Sequence, residues 1–292
     1  MSNRYYNHDF YKSQMHDSRE SAKKVIPLLM ELYRPQSVVD VGCGTGVWLA
    51  EFMELGIEDV CGVDGNYVDR TLLQIPPDRF FTADLRTFRY ENLGREFDLA
   101  ISLEVAEHLS AQYSTVFIRN LTKLSKVILF SAALPYQGGV EHKNENWLEY
   151  WISLFKQFDF YPVDYFRRKI WYDTDICWWY RQNIVLFVDQ TKLVELFPYH
   201  DRGIDVHSYV HPELFLWACA RGLLGHDDTL YSRDVQNYRL IIDAYLKNEP
   251  VNADKLAVYA NRYTTKLTQI KCLEKARKII LNFLRVIRLP RL

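Results

Sequence analysis

The stretch Val38-Val39-Asp40-Val41-Gly42-Cys43-Gly44-Thr45-Gly46 constrains this chain more than any other part of it. A short, nearly apolar run passes into three glycines at alternate positions, and Val47-Trp48-Leu49-Ala50 follows with helical character. That order describes a buried strand, a turn that needs backbone conformations costly for side-chain-bearing residues, and the start of a helix. In an open α/β sheet a ligand binds in the crevice beside such a turn, close to free N–H groups. Val47 stands where a dinucleotide fingerprint has its third glycine, so the spacing is GxGxG.

The flanking pattern extends this unit into a sheet. Ser18 to Tyr33 reads as a helix with Ala22, Val25, Ile26, Leu29 and Leu32 on one face, ended by Pro35. Short apolar runs at residues 37–41, 60–63, 80–83, 97–103 and 127–132 read as strands. Helices are expected at 47–55, 111–124 and 145–158, and two further strands near 163–168 and 183–188. Alternation of this kind predicts an α/β protein, a Rossmann-like seven-stranded doubly wound sheet over residues 17–189. Residues 1–16, with Tyr5, Tyr6, Phe10 and Tyr11, precede this unit and read by themselves as a frayed or docked terminus.

From Gln190 the character changes. Turn-rich sequence leads to helical patterns at 212–222, 233–247 and 252–289, which together form an expected helical C-terminal extension, residues 190–292. Its end carries Lys275, Arg277, Lys278, Arg285, Arg288 and Arg291 among apolar residues. Such a helix suits docking on its own domain, an anionic membrane surface or a second subunit of the same chain, and the sequence leaves these open.

Composition narrows the function classes. With 36 basic and 37 acidic residues the net charge is -1, so no general affinity for nucleic acid is expected. Five scattered cysteines without a CxxC pair argue against a disulfide framework and a zinc site. His200, His207 and His211 lie in turn-like surroundings beside Pro212 and form no metal motif, so no metal is expected. The N-terminus is too polar for a signal peptide and no apolar run could cross a bilayer, which points to the cytoplasm.

Acidic residues follow the glycine turn in an orderly way. Asp40 places negative charge inside the turn. Asp64, followed by Gly65, closes the second strand, where a carboxylate can accept from both hydroxyls of a ribose. Ala83-Asp84-Leu85 follows the third strand, within reach of an adenine amino group. Val38 to Gly46, Asp64, Asp84 and Ser102-Leu103-Glu104-Val105-Ala106-Glu107-His108-Leu109 together resemble the successive motifs of class I S-adenosylmethionine-dependent methyltransferases. The resemblance implies a parallel sheet with an antiparallel last strand and S-adenosylmethionine as cofactor. It also implies that Gly42, Gly44 and Gly46 line the methionine part, Asp64 holds the ribose, Asp84 the adenine, and Glu104 and Val105 the floor near the sulfonium, with residues 1–16 folding over the cofactor as a lid.

The methyl acceptor must be sought elsewhere. A hydroxyl needs a base, because its own pKa lies far above neutral. His142 lies in Gly138-Gly139-Val140-Glu141-His142-Lys143-Asn144-Glu145, directly after the fifth strand, with Asn144 or Glu145 able to orient it. This loop resembles the GGxxHxNE stretch of some methyltransferases from bacterial surface-polysaccharide and natural-product gene clusters. His108 is the second candidate. Its other reading is a histidine packing the helix that begins there. The aromatic run from Trp171 to Tyr180 reads as a loop suited to stacking on a sugar ring or against the C-terminal helices. The expected activity is O-methylation of a saccharide, nucleotide sugar or related small molecule. An N-methyltransferase, or an idle methyltransferase fold binding partners through its tail, are the alternatives.

Overall fold

The computed structural model describes residues 8–198 and 206–214, with Ala218, all within one compact unit, Met1–Asp227. The expectations for the helices at 233–247 and 252–289, and for the first residues of the N-terminal segment, fall outside the described residues.

Seven strands form one sheet: β1 (Ser37–Val41), β2 (Asp59–Asp64), β3 (Phe80–Thr82), β4 (Leu99–Leu103), β5 (Val127–Ser131), β6 (Phe160–Val163) and β7 (Val185–Asp189). Their order is β3-β2-β1-β4-β5-β7-β6. The pairs from β3 to β5 are parallel, and β7 runs antiparallel to both β5 and β6. This is the expected Rossmann-like sheet with its antiparallel last strand. The order reverses between β1 and β4, which opens a crevice at their carboxyl ends.

Strand side chains alternate between two cores. Val38, Leu99, Ile101, Leu129 and Leu186 pack on one face with Leu29 of α1 (His8–Leu32) and Leu49 and Phe52 of α2 (Val47–Glu54). Val39, Ala100, Ile128, Phe130 and Phe187 pack on the other with Phe117 of α3 (Ser114–Leu124) and Trp151 and Phe155 of α4 (Leu148–Lys156). Because both faces are covered, the strands read as continuous apolar runs rather than alternating ones. Phe155 stacks on Phe187 with ring centroids 3.8 Å apart.

Several boundaries differ from the sequence pattern. The first helix begins at His8, so residues 8–16 continue α1. The expected strand at 163–168 is β6 ending at Val163, followed by the short helix α5 (Arg167–Ile170). Arg167 is drawn inward: it donates to Asp164 Oδ2 at 2.8 Å and to the carbonyl of His207 at 2.8 Å, and lies over the Tyr209 ring. The aromatic run is not a free loop either, since residues 178–183 form α6 (Trp178–Asn183). Tyr180 is buried against Trp48 and meets Ser18 Oγ through its hydroxyl at 3.2 Å, which leaves Tyr172 as the strongly exposed ring of that run. Beyond β7 and α7 (Gln190–Leu196), residues 206–214 pack into the same body. There the His211 N–H donates to Gln182 Oε1 at 2.7 Å, and a buried Arg181–Glu213 ion pair closes at 2.6 Å.

Candidate active site

A cleft of about 600 Å³ opens at the carboxyl ends of β1, β2, β3 and β4. This is ample for a nucleoside-sized ligand. Gly42, Gly44, Asp64, Gly65, Ala83, Asp84, Leu85, Glu104 and Val105 line it. At Gly42, φ is +93° and a Cβ would stand 2.4 Å from Val105, so only glycine lets the β1 turn close against the residues after β4. Asp40 and Gly46 are placed differently. Asp40 is buried in β1, where burial first and Asp64 second push its carboxyl well above the usual range. Gly46 caps α2 beneath Ile75.

The Asp64 carboxylate is fixed by main-chain donors. Asp64 accepts from the N–H of Gly44 at 2.7 Å and of Gly65 at 2.6 Å, and from the Tyr67 hydroxyl at 2.5 Å. These bonds oppose the burial that raises its pKa, and they aim the carboxylate at the cleft. Tyr67 was not legible in the sequence, because its role depends on a turn folding back over three residues. Asp84 is half exposed and is gripped by Arg86 through Nε at 2.8 Å and Nη2 at 2.5 Å, which holds its carboxyl below the usual range. An adenine amino group at Asp84 would therefore share the carboxylate with Arg86.

At the other end, Glu104 sits directly after β4 with φ +56°. Its carboxylate accepts from Gln137 Nε2 at 2.6 Å and Asn183 Nδ2 at 3.0 Å, and burial raises its pKa to about 7. Gln182 joins the same amide group through Asn183 Oδ1 at 2.9 Å. None of these amides was singled out from the sequence, since they come from two segments distant from Glu104.

His108 lines the cleft, and burial lowers its pKa to about 4, with His142 the next cause. The His142 ring stands edge-on behind it, centroids 4.8 Å apart. A Cβ on Gly139 would come 2.2 Å from His142 Nε2, so the glycine there makes room for the imidazole. His142 Nδ1 lies 2.8 Å from Glu145 Oε1, which identifies Glu145 as its orienting partner. Asn144 instead donates to Ser114 Oγ.

Beside this pair, Glu107 is completely buried, and neither carboxylate oxygen has a hydrogen-bond partner of good geometry. Burial drives its pKa far up, offset in part by the nearby N–H groups of Glu107 and Ala133. Glu107, His108 and His142 bring three donor atoms within 4.8 Å of one another and are the described residues best placed to hold a cation.

Against this geometry the comparisons are clear. Residues 11–182 match the family described as "Methyltransferase domain". The chain belongs to that family, and within it to the S-adenosylmethionine-dependent class I enzymes, with S-adenosylmethionine as its cofactor. An O-methyltransferase family protein from Burkholderia thailandensis is similar at 12% identity and TM-score 0.45, covering 62% of this chain and 57% of that one. Magnesium protoporphyrin IX methyltransferase from Synechocystis, solved with bound SAH, is similar at 16% identity and TM-score 0.45, covering 60% and 84%. A SAM-dependent methyltransferase from Archaeoglobus fulgidus is similar at 18% identity and TM-score 0.42, covering 53% and 75%. No curated protein matches the chain. Among the described residues no helix is long and apolar enough to cross a membrane.

Proposed function

We propose that this enzyme methylates a hydroxyl group of a saccharide, nucleotide sugar or related small molecule. The observation that carries the reading is His108 at the cleft with the His142 ring edge-on against it and Glu145 fixed behind His142. S-adenosylmethionine supplies a methyl group made electrophilic by its sulfonium. The chain must hold the acceptor oxygen in line and remove its proton. We assign proton removal to His142, because Glu145, by accepting from Nδ1–H, leaves the Nε2 lone pair to take the proton. Burial disfavours charge on His108, which serves as a neutral wall beside the acceptor.

Labelled S-adenosylmethionine incubated with saccharides, nucleotide sugars and amines tests this directly. The expected product is a base-stable ether. Label found only in an amine would replace the reading with N-methylation.

The unpartnered Glu107 carboxylate favours a second reading, in which Glu107, His108 and His142 hold a divalent cation that acidifies the acceptor hydroxyl. Ligands around one ion at roughly 2.1 Å lie about 3–4 Å apart, so the three side chains would have to close slightly. Calorimetry with Mn²⁺, and turnover after EDTA treatment, separate the two. Full activity in EDTA with no Mn²⁺ binding removes the cation.

A further inference from the structure

The loop between β5 and α4 contains an unusual tyrosine. Leu134-Pro135-Tyr136-Gln137 closes as a turn, the Gln137 N–H donating to the Leu134 carbonyl at 3.0 Å. Proline stands at its second position and Tyr136 at its third, with φ +69°. That left-handed position in a proline turn favours glycine, and a bulky residue there is strained. The ring gains nothing inside the protein to offset this, because Tyr136 is 80% exposed.

The strained position is also tied to the catalytic loop. The Tyr136 N–H donates to Glu145 Oε2 at 2.9 Å, and the Gly138 N–H donates to Oε1 at 2.6 Å. The same Oε1 receives His142 Nδ1. One carboxylate therefore sets both the imidazole and the backbone that carries the exposed ring. Trp147, about half exposed, stands at the foot of the same loop, where the Asn146 N–H donates to the Ala133 carbonyl at 3.2 Å.

We infer that Tyr136 is an acceptor-specificity residue whose ring stacks on the apolar face of a sugar ring presented to His142. This inference rests on the hydroxyl-methylation reading and names the acceptor class within it. Strain kept at an exposed aromatic next to a reaction centre is explained by contact with a ligand. Sugars offer a C–H face for such stacking, with hydroxyls left at the rim for the base.

The test compares wild type, Tyr136→Gly and Tyr136→Phe, each loaded with S-adenosylhomocysteine. The probes are a printed glycan array and UDP-glucose, UDP-N-acetylglucosamine and GDP-mannose. Glycine suits the turn, so Tyr136→Gly should fold with an equal or higher melting temperature. The expected result is saccharide binding by wild type, a loss of about tenfold in Tyr136→Gly, and retention in Tyr136→Phe. Equal binding by Tyr136→Gly overturns the stacking role, as does a matching loss in Tyr136→Phe. No saccharide bound by the wild type overturns the acceptor class. Failure of the underlying reading shows separately, as methyl transfer to amines alone.

Discussion

The end of the cleft proposed to hold the methyl donor is fixed by main chain, and the end proposed to meet the acceptor by side chains. Asp64 is clamped by two backbone N–H groups contributed by its own turn and by the glycine turn. At the acceptor end, Glu104, Glu107, His108, Gln137, His142 and Asn183 converge from three segments, and neither buried Glu107 carboxylate oxygen has a hydrogen-bond partner of good geometry. A buried, unsatisfied carboxylate costs stability unless it is protonated or meets a ligand. The donor end is thus a finished binding surface, while the acceptor end holds polarity in reserve for chemistry.

If the two ends are separable, mutations should divide cleanly between cofactor affinity and turnover. The largest effect is expected for His142→Ala, which should lower methyl transfer by roughly 10²–10⁴-fold while leaving the dissociation constant for S-adenosylmethionine within about twofold. Steady-state rates with calorimetry on the same preparation check this, and unchanged turnover would remove His142 as the base. Next, Asp64→Ala should weaken cofactor binding by about 100-fold, because a carboxylate bridging the turn to the ribose makes charge-assisted bonds. A loss in turnover without a loss in affinity would erase the distinction between the ends.

The pH dependence of stability probes the acceptor end on its own. His108 has a folded pKa of about 4, below its ordinary 6.5. Above pH 6.5 folded and unfolded chains both hold a neutral ring. Between pH 6.5 and 4 the unfolded chain takes up a proton that the native state refuses. Stability contributed by this residue is therefore present above 6.5 and lost as pH falls, by on the order of 2–3 kcal/mol at pH 4. Urea midpoints at several pH values should show a shallower acid slope for His108→Gln than for wild type. Identical slopes would mean that the ring is not held neutral. The smallest effect is expected for Glu145→Gln, which keeps the size of the side chain but loses the ion-pair partner of His142. Turnover should fall about tenfold, with cofactor affinity unchanged, because the imidazole loses the carboxylate that orients it.

The same division explains what could be read in advance. Gly42, Gly44 and Asp64 are neighbours of strand ends, so their placement at the cleft follows from local pattern, and strands β1, β2, β4 and β5 were legible for the same reason. His142 was legible because Gly138, Gly139 and Glu145 surround it in sequence. Gln137, Gln182 and Asn183 were not, since only folding brings them to Glu104. Glu107 was read only as part of the run after β4, and nothing local reveals that its carboxylate is buried. The aromatic run at 171–180 misled because exposed and packed rings have the same composition. Tyr180 turned inward to Trp48, and the strongly exposed ring nearest the catalytic loop is Tyr136.

Titration calorimetry of S-adenosylmethionine into wild type, His142→Ala and Asp64→Ala tests the central claim most directly. Saturable one-site binding is expected for wild type and His142→Ala with closely similar affinity, and about 100-fold weaker binding for Asp64→Ala. No heat of binding from folded wild-type protein, or equal binding by Asp64→Ala, would contradict the account.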